Sequence, residues 1–306
     1  MYNITHKLSE GKCMEKKRKK QSEKSYPAAL TVSASDACGS SGIQADLRTF
    51  NAFGVFGCSV VTAVASPNPR LSGRVDLLPG ASVAAQIDAV ISGLGAVSAK
   101  SGMLGSAENV EALASAVKKY KLSLVCDPAI YSSAGLRWLD DDGVAALKQQ
   151  LLPLAAWITP GIQEAELLLG TEIKSVEEQI RAAAELHKQF GASVLLKGGD
   201  AGSSSAKGKL PRITDVVCRN GELWKISSFK ADVPVSASYG AGCTLSAALA
   251  ASFALELSWK EAVCESRSFV MGSLVENIRI GNDLFAMYPP GNDYMNSIQL
   301  EAVNLK

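Results

Sequence analysis

From Tyr26 to Ile280 the chain alternates short apolar or β-branched runs with stretches of helical period, and few folds accept that alternation. Strands are predicted at Ala28–Ala34, Gly57–Ala65, Val97–Lys100, Leu122–Cys126, Ala156–Ile158 and Ser193–Lys197. Between them helices are predicted over Ile43–Phe53, ended by Gly54, from a Ser82 cap to Ile91, over Ser106–Tyr120, from about Asp140 to Leu151, at Glu164–Glu166, and from Ser175 to Gly191. Asn220-Gly221, between Ile213–Arg219 and Glu222–Ser227, is a hairpin signal. Helices over Cys243–Leu257 and Trp259–Ile280 complete the series. Such β–α repetition implies an α/β fold, a mostly parallel central sheet with helices on both faces.

A chain of 306 residues, 47% hydrophobic and 20% charged, suits one soluble α/β domain. Its expected limits are 26–283, between a basic, disordered tail at 1–25 carrying Lys16-Lys17-Arg18-Lys19-Lys20 and a loose C-terminal tail at 284–306. No secretory h-region and no bilayer-length apolar run is present. A net charge of +1 and 6% aromatic residues argue against nucleic acid and membrane surfaces as partners. Seven cysteines, an odd number without CxxC spacing, argue against a disulfide framework or zinc site and for a reducing cytoplasm. Two histidines, His6 and His187, argue against a His-based triad and against Ser40 or Ser41 as an activated nucleophile.

In parallel sheets, ligands sit outside the carboxyl ends of the strands. Those ends carry Ser35-Asp36, Lys100-Ser101-Gly102, Asp127-Pro128, Thr159-Pro160 and Lys197-Gly198-Gly199. Five polar or glycine-rich ends in series predict a shared crevice. Ser238-Tyr239-Gly240-Ala241-Gly242-Cys243-Thr244 then enters a helix. Unpaired N–H groups and the positive dipole end at such an entry make an anion cradle and favour a Cys243 thiolate. An ordinary glycine turn before a buried helix is the alternative.

Phosphoryl transfer, which depends on positioning and charge stabilisation, suits this set. The N–H groups of Gly240, Ala241 and Gly242 would hold phosphoryl oxygens. Asp127 and Glu164 could hold Mg²⁺ through waters, Lys197 could neutralise phosphate, and Cys243 could accept a hydroxyl proton. Equally, Asp127 suits the Pro128 turn, Glu164 a helix N-terminus and Lys197 a solvated position. No Walker motif occurs: Gly208-Lys209 is followed by Leu210, and the glycine spacing before it is wrong. No GxGxxG follows the first strand.

Gly240-Ala241-Gly242-Cys243-Thr244-Leu245-Ser246-Ala247-Ala248 and Gly42-Ile43-Gln44-Ala45-Asp46-Leu47-Arg48-Thr49-Phe50 are similar to GTGCTLSAA and GIQADLKTF of the ribokinase-like family. The resemblance is to its hydroxymethylpyrimidine/phosphomethylpyrimidine kinase branch and covers roughly 27–280. Ser101-Gly102-Met103-Leu104, Asp127-Pro128, Leu151-Leu152-Pro153, Ile158-Thr159-Pro160, Glu164-Ala165-Glu166 and Lys197-Gly198-Gly199 match in the same order. The resemblance implies a ribokinase-like three-layer α/β/α fold and an ATP- and Mg²⁺-dependent kinase of thiamine biosynthesis. Its substrate would be a small heteroaromatic alcohol, 4-amino-5-hydroxymethyl-2-methylpyrimidine and/or its monophosphate, and its oligomeric state is compatible with a homodimer. It assigns catalysis to Cys243 with Gly240, Ala241 and Gly242, substrate binding to Ala34, Asp46 and Pro67, and nucleotide binding to Lys197 and Thr159. Asp46 would contact the ring's polar edge.

Departures from the pattern are Ala34 for a glycine, Pro67 for the glutamine that recognises pyrimidine, Gly161 for an asparagine, Tyr239 for a histidine and Ala241 for a threonine. Proline offers no side-chain hydrogen bond. Ala241 spares the cradle, because backbone N–H groups supply it. A pyridoxal-type kinase, or a ligand-binding family member without turnover, stays open beside the pyrimidine reading.

Overall fold

A computed structural model describes residues 26–66, 73–94, 98–132, 135–199, 203–204 and 211–303. The basic run at 16–20, Pro67 and most of the 201–210 loop lie outside the described residues. The first half contains β1 (Ala28–Asp36), α1 (Gly42–Ala52), β2 (Phe56–Ala65), β3 (Val75–Leu77), α2 (Gly80–Leu94), β4 (Ser98–Ser101), α3 (Ala107–Tyr120), β5 (Ser123–Cys126) and α4 (Asp141–Ala146). Next come β6 (Trp157–Ile158), α5 (Ile162–Leu169), α6 (Val176–Phe190), β7 (Ser193–Leu196), β8 (Ser203–Ser204), β9 (Arg212–Arg219) and β10 (Glu222–Phe229). The chain ends with α7 (Ala241–Ala254), α8 (Trp259–Val275), β11 (Ile278–Gly281), β12 (Leu284–Ala286) and β13 (Gln299–Val303).

The main sheet runs β13-β10-β9-β7-β6-β5-β4-β1-β2-β3, with β8 on β9. Its centre, β7-β6-β5-β4-β1-β2, is parallel. The chain leaves β1 toward β2 on one side and β4 toward β7 on the other, so β1 and β4 flank a topological switch point, where such sheets bind ligands.

Strand residues alternate between two cores, as a period of two requires. Leu30, Val32, Leu124, Cys126, Val194 and Leu196 face one core, shared with α2, α3 and α6. Ala29, Val125 and Leu195 face the other, shared with α1, α7 and α8. Helix caps match the sequence at Ser106, Ser175 and Gly191. Asn220 and Gly221 both have positive φ, 50° and 80°, and join β9 to β10 as a two-residue hairpin.

Four expectations change. The helix predicted over Trp259–Ile280 stops at Val275, and Ile278–Gly281 forms β11. Helix α2 begins at Gly80, not at Ser82, whose N–H bonds Pro79 O. The helix predicted to Leu151 passes into a π-turn over Leu147–Leu151 and a 3₁₀ turn carrying Pro153, which has no N–H to continue an α-ladder. The C-terminal segment is not a loose tail. β11 and β12 pair with each other, and β13 adds to the main sheet beside β10.

Candidate active site

A cavity of about 510 Å³ opens at the carboxyl ends of β1, β5 and β7, against the first turns of α1, α5 and α7. Ala34 and Asp36 reach it from β1, Asp127 from the end of β5, and Lys197-Gly198-Gly199 from the end of β7. Gly161 and Glu164 reach it at α5, and Tyr239, Gly240, Gly242 and Cys243 at α7. Three of the five predicted strand ends thus meet at one crevice.

Its walls depend on positions where a side chain cannot fit. Gly240 caps α7 at φ +90°, and a Cβ there would lie 1.9 Å from Ser40 O. Gly42 opens α1 at φ +58°, where a Cβ would lie 2.3 Å from Ala34 O. Only glycine meets both the left-handed conformation and the close approach. Asp36 arranges the loop between them. Its Oδ1 accepts from Cys38 N at 2.9 Å, and its Oδ2 from Ser41 N at 2.9 Å and Ser41 Oγ at 3.0 Å.

Charge gathers at the first turn of α7. A Cβ on Gly242 would stand 3.3 Å from Lys197 Nζ and 3.9 Å from Asp127 Oδ2. Lys197 Nζ donates to Asp127 Oδ1 at 3.1 Å, and Ser246 Oγ to Asp127 Oδ2 at 3.1 Å. Burial alone would lower the Lys197 pKa. The Asp127 and Glu164 carboxylates outweigh it and hold the pKa above the usual lysine value, so the ammonium stays charged. Glu164 serves a helix N-terminus and also lines the cavity: its Oε2 accepts from Gly161 N at 2.8 Å and its Oε1 from Ile130 N at 2.9 Å. Burial pushes its pKa up, against the pull of Lys197.

Among the described residues, each oxygen of Asp127 and Glu164 takes one protein hydrogen bond, and a carboxylate offers about four lone-pair sites. Half therefore remain for bridging waters. Among the described residues, no group of three or more His, Cys, Asp or Glu gathers around a metal position. The pair fits a water-bridged Mg²⁺ rather than a closed protein cage.

Three site expectations are corrected. Asp46 does not line the cavity. It is fully buried, with its carboxylate 2.9 and 2.8 Å from Lys100 Nζ and 2.6 Å from Thr31 Oγ1. Helical spacing turns it inward with Ala45 and Thr49, away from any ring contact. Thr159 is also fully buried at the end of β6 and lies off the cavity wall. Cys243 lines the cavity, but burial raises its thiol pKa above the ordinary value. Lys100 opposes this, without winning. Burial therefore favours the thiol over the thiolate expected at the helix start. Ala34 lines the wall as expected, with Gly240 and Gly242.

Sequence reasoning missed the burial of Lys100 in an ion pair with Asp46, Asp36 as a loop organiser, Ser246, and the aromatic wall of Tyr131 and Trp138. A lysine inside the buried strand Ser98-Ala99-Lys100-Ser101 was the one available signal for the first, because buried lysines need partners.

The phosphomethylpyrimidine kinase family model matches residues 36–287. A hydroxymethylpyrimidine/phosphomethylpyrimidine kinase of Rhizobium meliloti is 35% identical over 256 residues, 83% of this chain and 93% of its own. The Bacillus subtilis pyridoxal kinase, solved as an ADP complex, superposes with a TM-score of 0.75 at 30% identity, covering 87% of this chain and 98% of that one. A phosphomethylpyrimidine kinase from Clostridium difficile gives 0.67 at 31% identity, covering 80% and 97%. The ribokinase-like fold class holds, and the chain belongs to the phosphomethylpyrimidine kinase family.

Proposed function

We propose that this protein is an ATP-dependent kinase of thiamine biosynthesis. It phosphorylates the hydroxymethyl group of 4-amino-5-hydroxymethyl-2-methylpyrimidine, its monophosphate, or both. One observation carries the reading: the glycine-entered start of α7, the Lys197–Asp127 pair and Cys243 converge on a single cavity. The Rhizobium meliloti relative of that name supports the choice of acceptor.

The N–H groups of the first α7 turn, entered through Gly240, Ala241 and Gly242, receive the oxygens of the transferring phosphoryl group. Lys197, held charged between two carboxylates, neutralises phosphate. Cys243 takes the proton of the attacking hydroxyl. Asp127 and Glu164 would hold Mg²⁺ through waters, and the ion, when bound, offsets phosphate charge. Free thiols at Cys38, Cys58, Cys126, Cys218, Cys243 and Cys264 support a reducing compartment such as the cytoplasm.

A pyridoxal-type acceptor is the second reading. It is favoured by the higher TM-score of the pyridoxal kinase and by proline at position 67. Incubation with ATP, Mg²⁺ and either alcohol, with ADP and phosphorylated product followed together, separates the two. Product from pyridoxal alone would favour the second. Ligand-shifted melting without product from either alcohol would favour a binding protein. Cys243→Ala is expected to keep acceptor binding and lose turnover. Because the Cys243 pKa is raised, its thiolate fraction grows across neutral and mildly alkaline pH, and wild-type turnover should rise with it. An active Cys243→Ala enzyme would remove the residue from the mechanism.

A further inference from the structure

One wall of the cavity carries an apolar cluster. Ala34, Met103 and Ala129 form its lining, and the indole of Trp138 packs against the same cluster while facing the cavity. Trp138 comes from the connection between β5 and α4, where chain pattern gives no reason to expect a large aromatic. Its backbone is held firmly. Trp138 N donates to Ile130 O at 2.8 Å, and Arg137 Nε to Leu139 O at 2.8 Å. Leu139 is only 2% exposed and anchors the next position in the core. Ile130 N is tied in turn to Glu164 Oε1. Ala129 turns the chain at the cavity wall with φ +43°, a left-handed conformation that alanine adopts rarely and that gathers at functional sites.

An indole carried on a backbone held in this way presents a flat apolar face at low conformational cost. Beside small residues and a methionine, it adds a flat apolar surface to the cavity wall, on which a planar ring can lie. Resting on the kinase reading above, we propose that Trp138 is the wall against which the acceptor's heteroaromatic ring stacks. On this assignment Trp138 sets the preference for planar aromatic alcohols.

The other tryptophans make the inference readable. Trp157, Trp224 and Trp259 cluster with one another, with ring centroids 6.5 Å apart for Trp157–Trp259 and 5.7 Å for Trp224–Trp259. None of them lines the cavity. Trp138 is therefore the tryptophan whose emission an acceptor should change. Titrating hydroxymethylpyrimidine and, separately, pyridoxal into the wild type should alter tryptophan emission, and Trp138→Phe should abolish that change while leaving the melting temperature in place. In steady-state assays with the acceptor that reacts, Trp138→Ala should raise the acceptor KM about tenfold, the scale of one lost aromatic contact, with the ATP KM unchanged. Trp138→Phe, which keeps a smaller ring, should raise the acceptor KM by less than Trp138→Ala does. An emission change that survives in Trp138→Phe overturns the proposal, as does an unchanged acceptor KM in a folded Trp138→Ala enzyme. If the wild type turns over neither alcohol, the kinase reading fails, and the emission titration alone decides whether Trp138 contacts the ring.

Discussion

Lys100 and Asp46 are both wholly buried and meet in a two-oxygen ion pair beneath the cavity floor. Thr31 Oγ1 donates to the same carboxylate. Taking two charges out of water is costly, and only good geometry offsets it. Removing one partner leaves the other charge uncompensated, so Lys100→Met is expected to destabilise the protein by about 3–5 kcal/mol. The double variant Asp46→Leu/Lys100→Met should lose less than Lys100→Met alone. Urea unfolding of the variants measures this, and strictly additive losses would show that the two do not act as a pair. Lys100 was legible in the sequence as an anomaly inside a buried strand. Its partner was not: Asp46 lies 54 positions away, and no local rule names a partner at that range. The same limit explains Cys243. Its place at a helix start could be read from Gly240-Ala241-Gly242, but its protonation depends on burial by the whole fold.

At the scale of elements, the local signals that held have local causes. Asn220-Gly221 supplied two left-handed residues, and the hairpin followed. Strand β13 had no such signal. Gln299-Leu300-Glu301-Ala302-Val303 is an edge strand, largely exposed, and its composition reads as a polar tail. Tertiary contacts make it a strand. Ile298 and Leu300 pack on one core and Val303 on the other, while Arg212 Nη2 ties Ser227 O to Ser297 O at 2.9 and 3.0 Å. β13 lies beyond the 36–287 segment that the family model matches. Deleting residues 288–306 would uncover the hydrogen-bonding edge of β10. The shortened chain is expected to melt at a lower temperature and to self-associate on size exclusion. A monomer with the full-length melting temperature would mean that β13 contributes nothing to the sheet.

For the molecule as a whole, β–α alternation was enough to predict the parallel sheet, and the strand-end series was enough to predict which edge would carry a site. The cavity's composition was legible only in part. Asp127, Lys197 and Glu164 follow conspicuous strand ends, whereas Trp138 comes from an irregular connection with no periodicity to read. Helix α7 links the two halves of the chain. It is apolar around its circumference, buried from Thr244 to Ser252, and rests on β1, β4 and β5, with Ser98 Oγ donating to Ala250 O across 152 positions. During synthesis the strands beneath it leave the ribosome long before it does. Until Ala254 has emerged, that face of the growing sheet is covered only in part, by α1, and Ser40 has no Gly240 to close against. A fragment of residues 26–239 should therefore bind a hydrophobic dye and aggregate where the full chain does neither; a monomeric, dye-free fragment would contradict this. The candidate cavity is then closed only once the start of α7 has been made, long after the strands that form its floor.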